Sequence, residues 1–171
     1  MVRFIAYPTL CALASALLAC GLPQPGTYSI SLRNNILTLD EKLGNAFTTP
    51  YPDDPASQEW TLESGSVFGT FNLKNSKFGS YIGYQDASSN SKILGKNTPT
   101  EYMLFPSDKP EAFFIVTKER QDGTRLVLDQ YSLRGTRLDP EQEAALQLEG
   151  ENKEPWTFKR TDGGEKPPVW N

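Results

Sequence analysis

At 171 residues with 37% apolar side chains, the chain is long enough for one domain with a buried core and short for two. Its 17 basic and 21 acidic groups give a net charge of −4 with no basic run or stripe, which argues against nucleic acid as a partner. The absence of histidine excludes Ser-His-Asp and Cys-His nucleophiles and histidine-ligated zinc.

Residues 1–21, MVRFIAYPTLCALASALLACG, place one basic residue, Arg3, before an apolar run that ends in small residues. This is the pattern of a secretory signal peptide, with cleavage expected after Gly21 or after Ala19. A secreted, extracellular protein is therefore expected. The run is under about 20 residues and lacks a charged stop-transfer flank, so no membrane span is expected. LLAC at 17–20 also fits a lipidation box at Cys20. Both cysteines, Cys11 and Cys20, lie in this segment, so a processed chain would have no disulfide and would rest on core packing alone.

Three segments then open alike: GTYSISL at 26–32, GTFNLKN at 69–75 and EAFFIVT at 111–117. Tyr28, Phe71 and Phe113 lead them, each followed two positions on by Ile30, Leu73 or Ile115, the alternation of a half-buried strand. A second strand follows in each unit, NILTLD to Asp40, GSYIGYQD to Asp86 and TRLVLD to Asp129. Each unit closes on an aromatic strand, QEWTL, TEYMLF or EPWTFKR, so Trp60, Tyr102 and Trp156 occupy equivalent places. Both tryptophans read as core, because a large aromatic at a repeated strand position is usually buried.

One segment reads differently: DPEQEAALQLEG at 139–150 predicts a helix, with Asp139 as cap, Pro140 in the first turn and acidic residues near the positive end. AALQL within it equally fits the third strand that this unit otherwise lacks. Three such units cannot bury an apolar face singly, but packed about a pseudo-threefold axis they can close a sheet. The prediction is all-β, a β-trefoil of about twelve short strands over residues 22–162, with repeats at about 25–65, 66–108 and 109–162. Residues 163–171, rich in Gly and Pro and containing Trp170, read as a flexible C-terminal tail.

The order strand, Leu-Asp, loop, Gln-x-Trp resembles the ricin-B-type lectin trefoils, and in GTYSI, YIGY and W-x-F the mushroom ricin-B-like lectins in particular. The closing motif stands complete as Gln58-Glu59-Trp60 and is altered to Thr100-Glu101-Tyr102 and Glu154-Pro155-Trp156. The resemblance covers residues 25–160. It implies a non-catalytic, cofactor-free carbohydrate-binding protein whose partners are glycans or glycoproteins, fucose-, galactose- or N-acetylhexosamine-containing in the mushroom lectins. In such repeats an Asp after the second strand accepts bonds from sugar hydroxyls, an aromatic stacks on the ring, and a polar residue near the Gln completes the clamp. Carried onto this chain, the first repeat offers Asp40, Tyr51 and Gln58. The third offers Asp129, with Leu148 or Glu149 where the aromatic would stand, and the second offers Asp86 beside Tyr84 with no clear partner near Lys96 and Asn97.

A plainer reading stands beside each of these: Asp40 caps a turn, Tyr51 lies in a Pro-rich loop, and Gln58 braces backbone. PDDP at 52–55 places two adjacent carboxylates without further ligand spacing, the pattern of a solvated loop more than of a calcium site, and no metal is expected. Two other functions share the expected fold. One is a protease inhibitor acting through the loops at 46–57 and 86–99, with Lys92 or Lys96 entering a trypsin-like pocket. The other is a secreted effector that binds a protein surface and has lost sugar binding.

Overall fold

A computed structural model describes residues 21–51, 54–118, 123–131, 142–148 and 153–163. The strands, in chain order, are β1 (Gly26–Leu32), β2 (Asn35–Leu39), β3 (Ala46–Thr49), β4 (Glu59–Ser64), β5 (Thr70–Asn75), β6 (Tyr81–Tyr84), β7 (Ile93–Lys96), β8 (Tyr102–Pro106), β9 (Ala112–Thr117), β10 (Leu126–Tyr131), β11 (Gln142–Leu148) and β12 (Trp156–Arg160). A single 3-10 turn, Pro55–Ser57, precedes β4. Among the described residues no helix is long and apolar enough to cross a membrane.

The ladders close a ring. β1 pairs with β4, β4 with β5, β5 with β8, β8 with β9, β9 with β12, and β12 with β1, all antiparallel. A six-strand barrel with no open edge results. The remaining strands form three hairpins, β2–β3, β6–β7 and β10–β11, over one end of it. Their second strands meet in a cycle: Asn45 pairs with Leu94, Lys92 with Ala145, and Glu143 with Phe47. Each pairing joins one repeat to the next by the same offset, so the pseudo-threefold axis runs through this cap. The structure is a β-trefoil.

The repeated aromatics fill its interior. Tyr28, Phe71 and Phe113 are buried, and Phe158 lies edge-on to both Tyr28 and Phe113 at centroid distances of 5.8 and 5.5 Å. Trp60 and Trp156 are fully buried, and their indole N–H groups donate to the carbonyls of Leu37 at 2.9 Å and Leu128 at 2.8 Å. These bonds tie the closing strand of a repeat to its own cap hairpin. Tyr102 occupies the matching place, paired with Phe71 as Trp60 is with Tyr28 and Trp156 with Phe113. Its hydroxyl is buried without a partner among the described residues, and burial pushes its pKa well up.

The helix expected over 139–150 is corrected in its described part, and the other reading of AALQL, as the third strand of this unit, is the one observed. Gln142–Leu148 is strand β11, paired with β10 from Leu126↔Leu148 to Tyr131↔Glu143 and with β3 at Thr48 and Phe47. Ala144, Ala145 and Leu146 are all buried, on both faces of the hairpin. Cross-strand pairing and two-sided burial thus override a local composition that favours helix. Of the remaining expectations, the leader at 1–20 and Trp170 lie outside the described residues.

Candidate functional site

The grooves on the cap hairpins are best compared through the register of the ladders. β2, β6 and β10 leave the barrel at Ser31↔Ile36, Lys74↔Tyr81 and Val116↔Val127, each three residues after the leading aromatic. Two residues further on stand Thr38, Gly83 and Asp129. The equivalence expected for Asp40, Asp86 and Asp129 is therefore corrected. Asp129 lies inside β10, level with Thr38, whereas Asp40 follows β2 and is level with Gln85 and Tyr131.

In the first repeat the polar contacts under the cap hairpin are organised by Gln58. Its side chain is buried, and Nε2 donates to the Tyr51 carbonyl at 3.0 Å and to Thr38 Oγ1 at 3.3 Å. Both amide hydrogens are thereby used, and Thr38 in turn donates to the Ile36 carbonyl at 3.1 Å. Asp54 fixes the approach to Gln58: its Oδ1 accepts from Ala56 N at 3.0 Å and its Oδ2 pairs with Lys77 Nζ at 2.7 Å. The Lys77 bond, helped by the backbone donors, lowers the Asp54 pKa. Tyr51, anchored by its carbonyl, leaves its side chain 63% exposed. Asp40 is exposed at the start of the β2–β3 turn, where its N–H donates to the Asn45 carbonyl at 3.4 Å. Gln58 and Tyr51 are thus joined directly. Asp40 stands two residues beyond Thr38, and among the described residues no hydrogen bond joins its side chain to either of them.

The third repeat places a carboxylate where the first has a hydroxyl. Asp129 Oδ2 accepts from Lys153 Nζ at 2.9 Å and Oδ1 from Gln130 N at 2.8 Å. The side chains of the pair are only about one-fifth exposed. Glu154, two residues before Trp156 as Gln58 is before Trp60, turns instead to Arg33 at 3.0 Å. Leu148, expected to stand near the aromatic position, pairs with the core residue Leu126, and strand alternation puts it on the hairpin face opposite Asp129. Glu149 lies outside the described residues.

The second repeat has no open groove. A Cβ on Gly83 would lie 2.5 Å from both Lys96 Cδ and Thr100 Oγ1, so those two side chains already occupy the space. Lys96 Nζ donates to the Tyr84 carbonyl at 3.1 Å. Tyr84 lies edge-on to Tyr102 at 6.2 Å, and burial raises its pKa. Asp86 accepts from the hydroxyls of Ser88 and Ser91, both at 2.8 Å, and so builds its own turn.

Sequence reading missed Thr38 and Lys153. Thr38 could have been found by counting from the leading aromatic, but nothing local announces Lys153, whose partner lies 24 positions back. No cluster of three His, Cys, Asp or Glu side chains able to hold a metal occurs among the described residues. The arrangement can accept and donate hydrogen bonds at a shallow surface and offer a flat ring beside them.

No protein-family model matches the chain, and no curated protein matches its sequence. Solved structures do. The ricin B-like lectin of Macrolepiota procera, in complex with lactose, superposes with a TM-score of 0.65 at 20% identity, covering 82% of this chain and 99% of that one. The Rhizoctonia solani agglutinin gives 0.67 at 19% identity over 82% and 98%. The Polyporus squamosus lectin, bound to a human-type influenza-binding epitope, gives 0.62 at 21% identity over 81% of this chain and 50% of that one. The fold is that of the ricin-B-type β-trefoils.

Proposed function

We propose that this protein is a secreted, non-catalytic lectin that binds glycans in the cap groove of its first repeat, with a second site at Asp129 in the third. The observation that carries the reading is Tyr51: an exposed ring whose backbone carbonyl is held by the buried Gln58, in the same repeat as the exposed carboxylate of Asp40. A pyranose has one apolar C–H face and a rim of hydroxyls, and this surface offers one flat apolar group and several polar ones. The structural neighbours from Macrolepiota and Polyporus, crystallised with lactose and with a sialic-acid-containing epitope, support the substrate class. A shallow site of this kind gives weak single-site affinity, raised by several sites on one particle.

The inhibitor alternative receives less support. Lys96 Nζ is engaged by the Tyr84 carbonyl at 3.1 Å, so it is not presented for a protease pocket, and Lys92 Nζ pairs with Glu143 at 2.7 Å. The test is a broad glycan screen of the protein beside its Tyr51→Ala and Asp40→Ala variants. Binding should appear with the parent protein and weaken by about tenfold or more in Tyr51→Ala, a loss of roughly 1.4 kcal/mol, with an unchanged circular dichroism spectrum. Binding that survives both substitutions would remove the first-repeat groove from the account.

A further inference from the structure

Among the described residues, only the third repeat places full charges at the pair of positions under its cap hairpin. The first repeat has Thr38 and Gln58 there and the second Gly83 and Thr100, all neutral, so the fold itself does not require an ion pair. Asp129 and Lys153 are nevertheless paired at 2.9 Å, with side chains 16% and 21% exposed. An ion pair so largely withdrawn from water adds little stability over neutral packing, because desolvation offsets most of the attraction.

The pair is held from both sides. The Trp156 indole N–H, three residues after Lys153, donates at 2.8 Å to the carbonyl of Leu128, the residue before Asp129. On the other side Gln130 N donates to Asp129 Oδ1 at 2.8 Å, and Gln130 Nε2 donates to Thr48 Oγ1 at 2.7 Å, which ties β10 to the neighbouring β3. Asp129 stands opposite the buried Ala145 in the hairpin ladder. Carboxylate and ammonium are therefore set side by side in one orientation before any ligand arrives.

This pair also keeps hydrogen-bonding capacity that the first-repeat pair lacks. Gln58 uses both amide hydrogens, and Thr38 its hydroxyl hydrogen, within the protein. A carboxylate has about four acceptor sites and an ammonium three donors. Among the described residues Asp129 accepts two bonds and Lys153 donates one. What remains is an acceptor and a donor one hydrogen-bond length apart. Two gauche hydroxyls on adjacent carbons of a pyranose ring are spaced in the same way, and each can donate as well as accept. One then fits the carboxylate as a donor while its neighbour fits the ammonium as an acceptor.

We infer, resting on the lectin reading above, that Lys153 contacts the sugar in the third-repeat site and that with Asp129 it reads a gauche vicinal diol. One hydroxyl donates to Asp129 and the next accepts from Lys153.

The test follows the Gln130 amide resonance, whose N–H bonds to Asp129, by NMR of the full chain carrying Tyr51→Ala, which weakens the first-repeat site. The titrants are methyl galactopyranoside and its derivatives deoxygenated in turn at each ring hydroxyl. Two derivatives, lacking hydroxyls on adjacent carbons, should bind about tenfold more weakly than the intact glycoside, the effect of one hydrogen bond to a charged group. Adding Lys153→Met should weaken the intact glycoside by a similar factor and erase the penalty for one of those two derivatives. Asp129→Asn should erase it for the other. A Lys153→Met protein that binds the glycoside undiminished, or that keeps every deoxy penalty, overturns the inference, because Lys153 would then only brace Asp129. So do penalties that fall on no two adjacent hydroxyls before Lys153 is altered, a result that needs no Lys153 variant to fold. A Gln130 resonance unmoved by any of these glycosides removes the third-repeat site, and the lectin reading then stands or falls separately on the glycan screen of the parent protein.

Discussion

The barrel and the cap grooves of this molecule follow opposite rules. In the barrel the three repeats present the same side chain or its near equivalent: Tyr28, Phe71 and Phe113 at the opening strand, Trp60, Tyr102 and Trp156 at the closing one. In the grooves no position is kept. The pair under each hairpin is Thr38 with Gln58 in the first repeat, Gly83 with Thr100 in the second and Asp129 with Lys153 in the third. A shared interior has to be filled to one packing density from three sides, whereas the pair under each hairpin serves one repeat and can be altered alone. Threefold symmetry here records what the core requires, and the departures from it lie where the core imposes nothing.

The comparison predicts a ranking. Trp60→Ala should cost about 3–5 kcal/mol, a large share of the roughly 5–15 kcal/mol that holds a domain folded, because it opens a cavity and abandons the Leu37 carbonyl. Urea melts will show it, and a loss near 1 kcal/mol would mean that the barrel is not packed as described. Gln58→Ala should cost less, about 1–3 kcal/mol, since it frees the Tyr51 carbonyl and Thr38 without opening the barrel. That variant should also lose glycan binding together with stability, unlike Tyr51→Ala. Smaller still, and of opposite sign, is Tyr102→Phe. Its hydroxyl is buried without a partner where the two tryptophans have one, so removing it should be neutral or stabilising by about 1 kcal/mol. A destabilisation as large as that of Gln58→Ala would show that the second repeat satisfies its donor after all.

The same contrast explains what the sequence disclosed. The aromatic-led strands were legible because the core imposes one pattern three times, and repetition makes a weak local signal strong. The register of the grooves was not. Leu37 and Leu39 stand two apart before Asp40 as Leu126 and Leu128 do before Asp129, so a slip of two residues keeps every side chain on its face. Aligning on Leu-Asp therefore equated Asp40 with Asp129, and only the hydrogen-bonded ladder shows that Thr38 is the true counterpart. Strand β11 misled for another reason. Its run of Glu, Ala and Leu suits a helix, and the partners that make it a strand, β10 at Leu126 and β3 at Ala46, begin well before it in the chain, β3 nearly a hundred residues earlier. The bracing role of Gln58 followed from its place before Trp60. That of Lys153 did not, because Asn-Lys-Glu-Pro carries no pattern that points back to Asp129.

The last and smallest effect concerns an interaction that, among the described residues, only Glu101 of the second repeat makes. Glu101 bonds to Lys118 Nζ and to both the hydroxyl and the N–H of Ser66, and these donors, Lys118 foremost, hold its carboxyl down to about 2. A folded pKa below the ordinary carboxylate value of 4.5 contributes stability that is fully present above that value. It fades as pH falls from about 4.5 and is gone once the folded group itself protonates near 2. The urea midpoint of the parent protein should therefore exceed that of Glu101→Gln by a constant amount above about pH 5, and the two should converge between pH 4 and 2. Because the group is partly exposed and salt screens it, the gap should be modest and shrink further in high salt. Ser66 belongs to the hairpin that presents Phe68, so the convergence should be steepest for probes in that hairpin and absent from the matching turns of the other repeats. Midpoints that stay apart at pH 2, or that separate equally at every probe, would show that the acid response is a property of the whole barrel and not of its one asymmetric clasp.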